Sequence, residues 1–466
     1  MRGFLASSVG VTCAAALALP LTLPATPAEA GPSTLTSEAA APGSTQSLPL
    51  VPLTRKRSLG PTAQTQGLAR RNVRPFSLVG VVWDDPDSEL NGRVQVRTRA
   101  AGTGDWSDWQ DVEAHNDEHA ADPDTVESAS SRVHGSTAPL WVGNSDGVEV
   151  RVEPEQAARD AAEAPEPEEG TGGGPENRRA AAPATASLPG GLRLELVDPG
   201  GDPPSPEDRT AGRAGGASPG LRAKAVPAGV TNGGGTKATV IPALSREETT
   251  RTYFPDGTAQ RRATPYIGPR PRIVTRHGWG ANENLRERGF LYTKTVKAAF
   301  VHHTASGNKY SCSQVPSIIR SIYRYHVVSS GWRDIGYNFL VDKCGTIYEG
   351  RAGGVAKAVM GAHTRGFNTN SMGIAVIGTF GATKPTDAAL KAISRLTAWK
   401  LGLYGANPRG KTYLKSAGGN LYRKGKNVRL NVISGHRDGF ATECPGRLLY
   451  GKLGSARTTA ARYQGR

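Results

Sequence analysis

His302 and His303 end an apolar run, AAFVHH, and far downstream His436 is followed eight positions later by Cys444 in HRDGFATECPG. Imidazole nitrogen and cysteine thiolate are ligands that suit Zn²⁺. A catalytic zinc takes three protein ligands and leaves the fourth position to water. Ligands at strand ends are held by their sheet, which fixes a site before anything binds. Side chains alternate along a strand, so His302 and His303 point to opposite faces and only one is expected to bind. A His-x7-Cys pair alone is more often core packing than a metal site. An ion would nevertheless explain a lone cysteine kept from disulfide chemistry, because the metal holds it as thiolate.

The elements that position these residues follow from the chain's organisation. Residues 1–30 have a basic start, an apolar stretch and a small-x-small end at Ala28-Glu29-Ala30. They read as a secretory signal peptide. No later run of about 18 apolar residues follows, so no stable membrane insertion is expected. Export leaves three of the four cysteines, Cys312, Cys344 and Cys444. In an oxidising compartment two of these tend to pair.

Charge divides the chain. Residues 266–466 hold 32 Lys and Arg against 8 Asp and Glu, +24, whereas residues 1–265 hold 25 against 33, −8. A basic folded half suggests a polyanionic target. Export favours an anionic extracellular wall polymer over nucleic acid.

Residues 31–72 read as a disordered lead, and 73–198 as a small β-rich domain with a disordered insertion near 153–190. Short alternating runs such as GRVQVRTRA and VEVRVE, separated by turn residues, give the β assignment. LRLELV at 192–197 is a candidate last strand of this sandwich. Its Trp83, Trp106, Trp109 and Trp141 are expected as core or strand-cap aromatics rather than a glycan platform. His115, His119 and His134 stand in polar loop text and are expected to be solvated. Residues 199–265 read as a flexible Pro/Gly-rich linker.

From 266 to 466 the text is that of one α/β domain: a central mixed β-sheet flanked by helices. Strands are expected over 296–304, 335–351 (two joined by DKCG), 371–380 and 428–434. Helices are expected over 313–329 and 386–405, with another at the C-terminus.

Four words of this half occur in a telling order: VHHTAS, DIGYNFLVDKCGTIYEGR, GAHTRGFNTNSMGIAVIGTF and SGHRDGFATECPG. Together they resemble the peptidoglycan recognition protein / type 2 N-acetylmuramoyl-L-alanine amidase family, which includes T7-lysozyme-like zinc amidases. The resemblance implies one Zn²⁺ held by His302, His436 and Cys444, with Tyr337 and Thr442 as catalytic groups. Thr442 matches the recognition-protein branch, where the phage branch has lysine. Non-catalytic relatives typically lose the cysteine that this chain keeps. The implied reaction is hydrolysis of the amide between N-acetylmuramic acid and L-alanine of the stem peptide.

His303, His363, Arg351 and Asn368 sit in family-like words and are expected on the substrate groove. Asp438 is expected to orient His436. Glu443 is expected to be a solvent-facing carboxylate, His326 a packed structural residue and His277 a loop residue. With Cys444 assigned to the metal by the resemblance, Cys312 and Cys344 are left to form a disulfide. The expected partner is peptidoglycan, and the chain is expected to act as a secreted, wall-associated monomer. Three other readings stay open: a recognition protein that binds without cutting, a zinc peptidase acting within the stem, and a purely structural zinc.

Overall fold

Alternation builds the N-terminal half. In GRVQVRTRA, Val94, Val96 and Thr98 are buried while Arg93, Arg97 and Arg99 reach outward. The structure, a computed structural model, describes residues 42–53, 65–114, 117–154, 187–201, 238–255 and 265–466. The signal-peptide reading and most of the insertion near 153–190 lie outside these residues.

The strands in chain order are β1 Ser44–Pro49, β2 Val51–Pro52, β3 Gln66–Trp83, β4 Gly92–Ala100, β5 Gln110–Val112, β6 Gly135–Ser136, β7 Leu140–Pro154 and β8 Arg193–Asp198. They form one connected antiparallel sheet, ordered β1-β8-β3-β7-β4-β5, with β2 and β6 also on β3. The 18-residue β3 runs through it with three register shifts against β7, so one sheet is formed without a break into two. β8 is the expected last strand, and it joins β1 to β3. Of the tryptophans, Trp83 and Trp141 are buried. Trp106 and Trp109 are half-buried, with Arg70, Arg97 and Arg151 over their rings.

The second half carries β9 Val240–Ile241, β10 Ile273–Val274, β11 Ala298–His303, β12 Phe339–Val341, β13 Ile347–Glu349, β14 Ser371–Val376, β15 Lys411–Lys415, β16 Asn427–Asn431 and β17 Ile433–Gly435. Its helices are α1 Arg246–Tyr253, α2 Val315–Arg324, α3 Asp387–Gly402, α4 Arg447–Tyr450 and α5 Leu453–Gln464. A mixed seven-stranded sheet runs β17-β11-β14-β12-β13-β10-β9, and β15 and β16 form a separate hairpin. One face is covered by α3 and α5 through Ile393, Leu396, Trp399 and Leu453. On the other face α2 places Val315, Ile318, Ile319 and Ile322 against Leu340 and Ala375. This is the α/β architecture expected, preceded by an all-β domain.

Parts of two segments read as unstructured carry regular structure among the described residues. Six residues of the lead, STQSLP, pair along β8 as β1, and β3 begins at Gln66. Within the supposed linker, β9 pairs with β10, and α1 is closed by a Ser245–Glu248 capping box. Composition misled in both places because a ladder is made by main-chain hydrogen bonds, which need no apolar periodicity. The expected 428–434 strand also breaks at Val432 into β16 and β17, which belong to different sheets.

The two domains share a core. Leu78, Val82, Trp141 and Val197 of the β-domain join the cluster built on α2. Tyr325 donates its hydroxyl to the Thr137 carbonyl at 3.0 Å and sits where Gly80 has no side chain. The Cys312–Cys344 disulfide ties the start of α2 to the β12–β13 turn. Among the described residues no helix is long and apolar enough to cross a membrane.

Candidate metal centre

Parallel pairing delivers two histidines to one sheet edge. β11 and β17 are neighbours with Val301 opposite Gly435, so His302 and His436 both lie at the C-terminal ends of their strands. Parallel α/β sheets characteristically place their sites there. The loop after His436 folds back on itself, with the Arg437 N–H donating to the Cys444 carbonyl at 3.0 Å. Cys444 Sγ thereby comes 3.8 Å from His302 Nδ1.

The cluster includes His302 and leaves out His303, and strand alternation lets only one of the two face it. His303 offers its main-chain N–H to Cys444 Sγ at 3.4 Å, while its ring is outside the cluster. His302 presents Nδ1 inward, and its Nε2 lies 3.3 Å from His363 Nδ1 and 3.4 Å from Thr364 Oγ1. Such a contact to the second ring nitrogen fixes the orientation of a metal-binding imidazole.

A fourth residue joins this set. His119, from a short helical turn at Asp117–His119 in the β-domain, places Nε2 3.6 Å from Cys444 Sγ. One ligand atom from each of His119, His302, His436 and Cys444 lies within 4.8 Å of all the others. The sequence reading, which expected His119 to be solvated, is overturned: it is 5 % exposed. No sequence spacing connects a loop histidine to residues 183 to 325 positions further along the chain.

The donor set fits zinc. His436 is fully buried, and its ring nitrogens lack a well-formed hydrogen bond, with the Glu118 main chain as the polar group beside them. Unpaired buried nitrogens are costly, and a metal ion satisfies them. Burial holds His119, His302 and His436 well below the usual imidazole range, so they are neutral and able to coordinate. Burial also pushes the metal-free Cys444 thiol up, so loading the site must displace its proton.

Tyr337 is 4 % exposed, with its ring centroid 5.6 Å from that of His302. Thr442 accepts from the Cys444 N–H at 3.1 Å and donates to Glu118 Oε1 of the β-domain at 2.8 Å. The remaining expected site residues are placed differently from a groove. His363 is fully buried beneath the cluster as the support of His302. Asn368 accepts the His363 N–H at 2.7 Å and donates to Asp122 Oδ1 at 2.8 Å, acting as a brace. Arg351 is buried against Glu127. All three sit in family-like words because the domain's interior, as well as its surface, carries those words.

Asp438 does not touch the His436 ring. Its carboxylate accepts from the Gly435 N–H at 2.9 Å and from the Tyr450 hydroxyl, closing the turn that presents His436. Glu443 is a solvent-facing carboxylate, as expected, with only Arg437 beside it. His326 is packed on Trp332, and His277 is exposed.

Comparison with known proteins adds an independent line. Residues 292–447 match the N-acetylmuramoyl-L-alanine amidase family, and residues 30–171 the Rv3811 N-terminal galactose-binding domain-like family. Peptidoglycan-recognition protein SC1a of Drosophila melanogaster is 31% identical over 192 residues, 40% of this chain and 87% of the relative. A human N-acetylmuramoyl-L-alanine amidase is 32% identical over 185 residues, 39% of this chain and 28% of that protein. The solved structure of Drosophila PGRP-LB is 26% identical, with TM-score 0.32, covering 39% of this chain and 92% of the other.

Proposed function

Because the chain belongs to the peptidoglycan recognition protein / N-acetylmuramoyl-L-alanine amidase family, we propose that it is a zinc-dependent amidase. Its substrate is the bond between N-acetylmuramic acid and L-alanine of the stem peptide in bacterial peptidoglycan. The observation that carries this reading is the convergence of His302, His436 and Cys444 beside Tyr337.

Bound zinc supplies Lewis acidity to the scissile carbonyl and lowers the pKa of water toward about 7. The chain's own residues do the rest. His302 is oriented by His363 and Thr364, and His436 by the turn that Asp438 closes. Burial keeps the Tyr337 phenol protonated, so it can donate a hydrogen bond to the oxygen that gains charge during attack. Thr442, on the cysteine loop, is a second donor once Glu118 is withdrawn. In the products the lactyl carbonyl carries the hydroxyl from water, and the alanine nitrogen carries its proton. The basic second half suits an anionic wall, and we place the protein outside the cell.

One observation favours a second reading. A site with four protein ligands is the pattern of a structural zinc, and a recognition protein that does not cut would need no open position. Defined muropeptides, incubated with the whole chain and with His119→Ala, separate the two by product mass. The amidase reading requires a free stem peptide beginning at L-alanine, lost on adding a chelator. Intact muropeptide from both proteins overturns it, and cleavage inside the stem would mean a peptidase.

A further inference from the structure

The β-domain reaches the candidate metal centre through residues 117–134, which touch the cluster, the cysteine loop and the residues that brace them. His119 joins the cluster. Glu118 accepts from Thr442, and its carbonyl accepts from the Arg365 N–H at 2.9 Å. Asp122 takes three donors of the 366–368 turn on one oxygen: Gly366 N at 2.9 Å, Asn368 N at 3.1 Å and Asn368 Nδ2 at 2.8 Å. Glu127 pairs with Arg351, both buried. Three carboxylates of an acidic half are thus seated on a strongly basic one.

The distances bear on coordination. With Zn–N near 2.0–2.1 Å and Zn–S near 2.3 Å, tetrahedral ligation separates nitrogen from sulfur by about 3.6 Å. Cys444 Sγ is 3.6 Å from His119 Nε2 and 3.8 Å from His302 Nδ1. His119 is therefore placed like the ligands supplied by the amidase domain. Its other nitrogen, Nδ1, is buried without a hydrogen-bond partner.

We infer that His119 is a fourth metal ligand contributed by the β-domain, and that residues 117–134 form a built-in plug over the amidase site. This rests on the amidase reading for its functional meaning, though not for its geometry. A catalytic zinc keeps one position for water or substrate, and His119 fills it. The whole chain is latent, and activity requires the plug to leave together with the carboxylates that hold Thr442, Asn368 and Arg351.

The test is cobalt substitution in the whole chain, read by visible absorption with azide as the probe. Cobalt bound by four protein ligands leaves azide no place, so the native spectrum stays unchanged as azide is added. His119→Ala opens a position, and azide then shifts the bands. An equal azide response in both proteins overturns the inference. Glu127→Gln is a second variant that loosens the plug without touching a ligand. It is expected to respond to azide between the two, and it keeps the test alive if His119→Ala does not fold.

Muropeptide hydrolysis separates this claim from the one beneath it. Release of the plug should raise the rate on the order of 10-fold or more, since only the opened fraction is competent. Equal rates in the whole chain and in His119→Ala overturn the plug. An azide response confined to the variants, with muropeptides untouched, upholds the ligand and removes the amidase.

Discussion

Arg351 and Glu127, 224 residues apart in sequence, meet as a bidentate ion pair, Nη2 to Oε1 at 2.7 Å and Nη1 to Oε2 at 2.8 Å. Side-chain exposure is 5 % for the arginine and 2 % for the glutamate. Such a pair is stabilising only while both members are present, because a single buried charge carries its full desolvation cost. Glu127→Ala is expected to destabilise the whole chain by about 3 kcal/mol. The double change Glu127→Leu/Arg351→Met should recover most of it. Urea denaturation of the parent and the two variants checks this, and equal losses for the single and double variants would contradict it.

Gly80 is the other contact on which the domain junction turns. A Cβ there would lie 2.3 Å from Tyr325 Oη, and Tyr325 is fully buried, so its ring has no free rotamer to retreat into. Gly80→Ala should cost about 1–3 kcal/mol through overpacking. It should also speed removal of the metal by chelator, because it strains the junction that holds His119 in place. An unchanged melting temperature and unchanged chelation rate would show that the interface yields easily.

Tyr337→Phe removes one hydroxyl from a ring that packs beside His302. In a His119→Ala background the variant should retain one zinc per chain and lose roughly 100-fold in kcat, the usual scale for one donor to a developing oxyanion. KM should change little. Loss of metal instead would make the tyrosine a part of the binding site.

Lys400 gives the chain a pH signature away from the metal. It is fully buried on α3, donating to the Val355 and Lys357 carbonyls, each at 2.6 Å. Burial lowers its pKa to about 7, with Glu349 pulling the other way. Between about pH 7 and 10 the unfolded chain therefore holds a proton on this group that the folded chain has released. Stability contributed by this group rises with pH across that window. Lys400→Met should flatten the rise and be more stable than the parent at pH 7. Tyr310, raised to about 12 by burial, acts oppositely and only above pH 10, so the comparison belongs below it. Parallel pH profiles for the two proteins would contradict this assignment.

The Cys312–Cys344 bridge spans 32 residues. A loop of that size is worth roughly 3–4 kcal/mol by restricting the unfolded chain. Replacing both cysteines with alanine should lower stability by that amount and leave zinc stoichiometry at one, since neither sulfur belongs to the cluster. A loss of zinc in parallel would tie the bridge to the site.

The sequence by itself determined the α/β half, marked out His302, His436 and Cys444 as candidates through their family-like words, and left Cys312 and Cys344 to pair. Strand period, turn chemistry and four local words are all short-range features, and each can be read where it stands. Only the tertiary structure decided the rest. It seated His363 under the metal centre, turned Asn368 and Arg351 into braces for another domain, and moved Asp438 off the His436 ring. It also brought His119 from a polar loop into a buried cluster. A solvated histidine and a coordinating one look alike in a chain, because what distinguishes them is the packing of a second domain, and that depends on contacts between residues far apart in sequence.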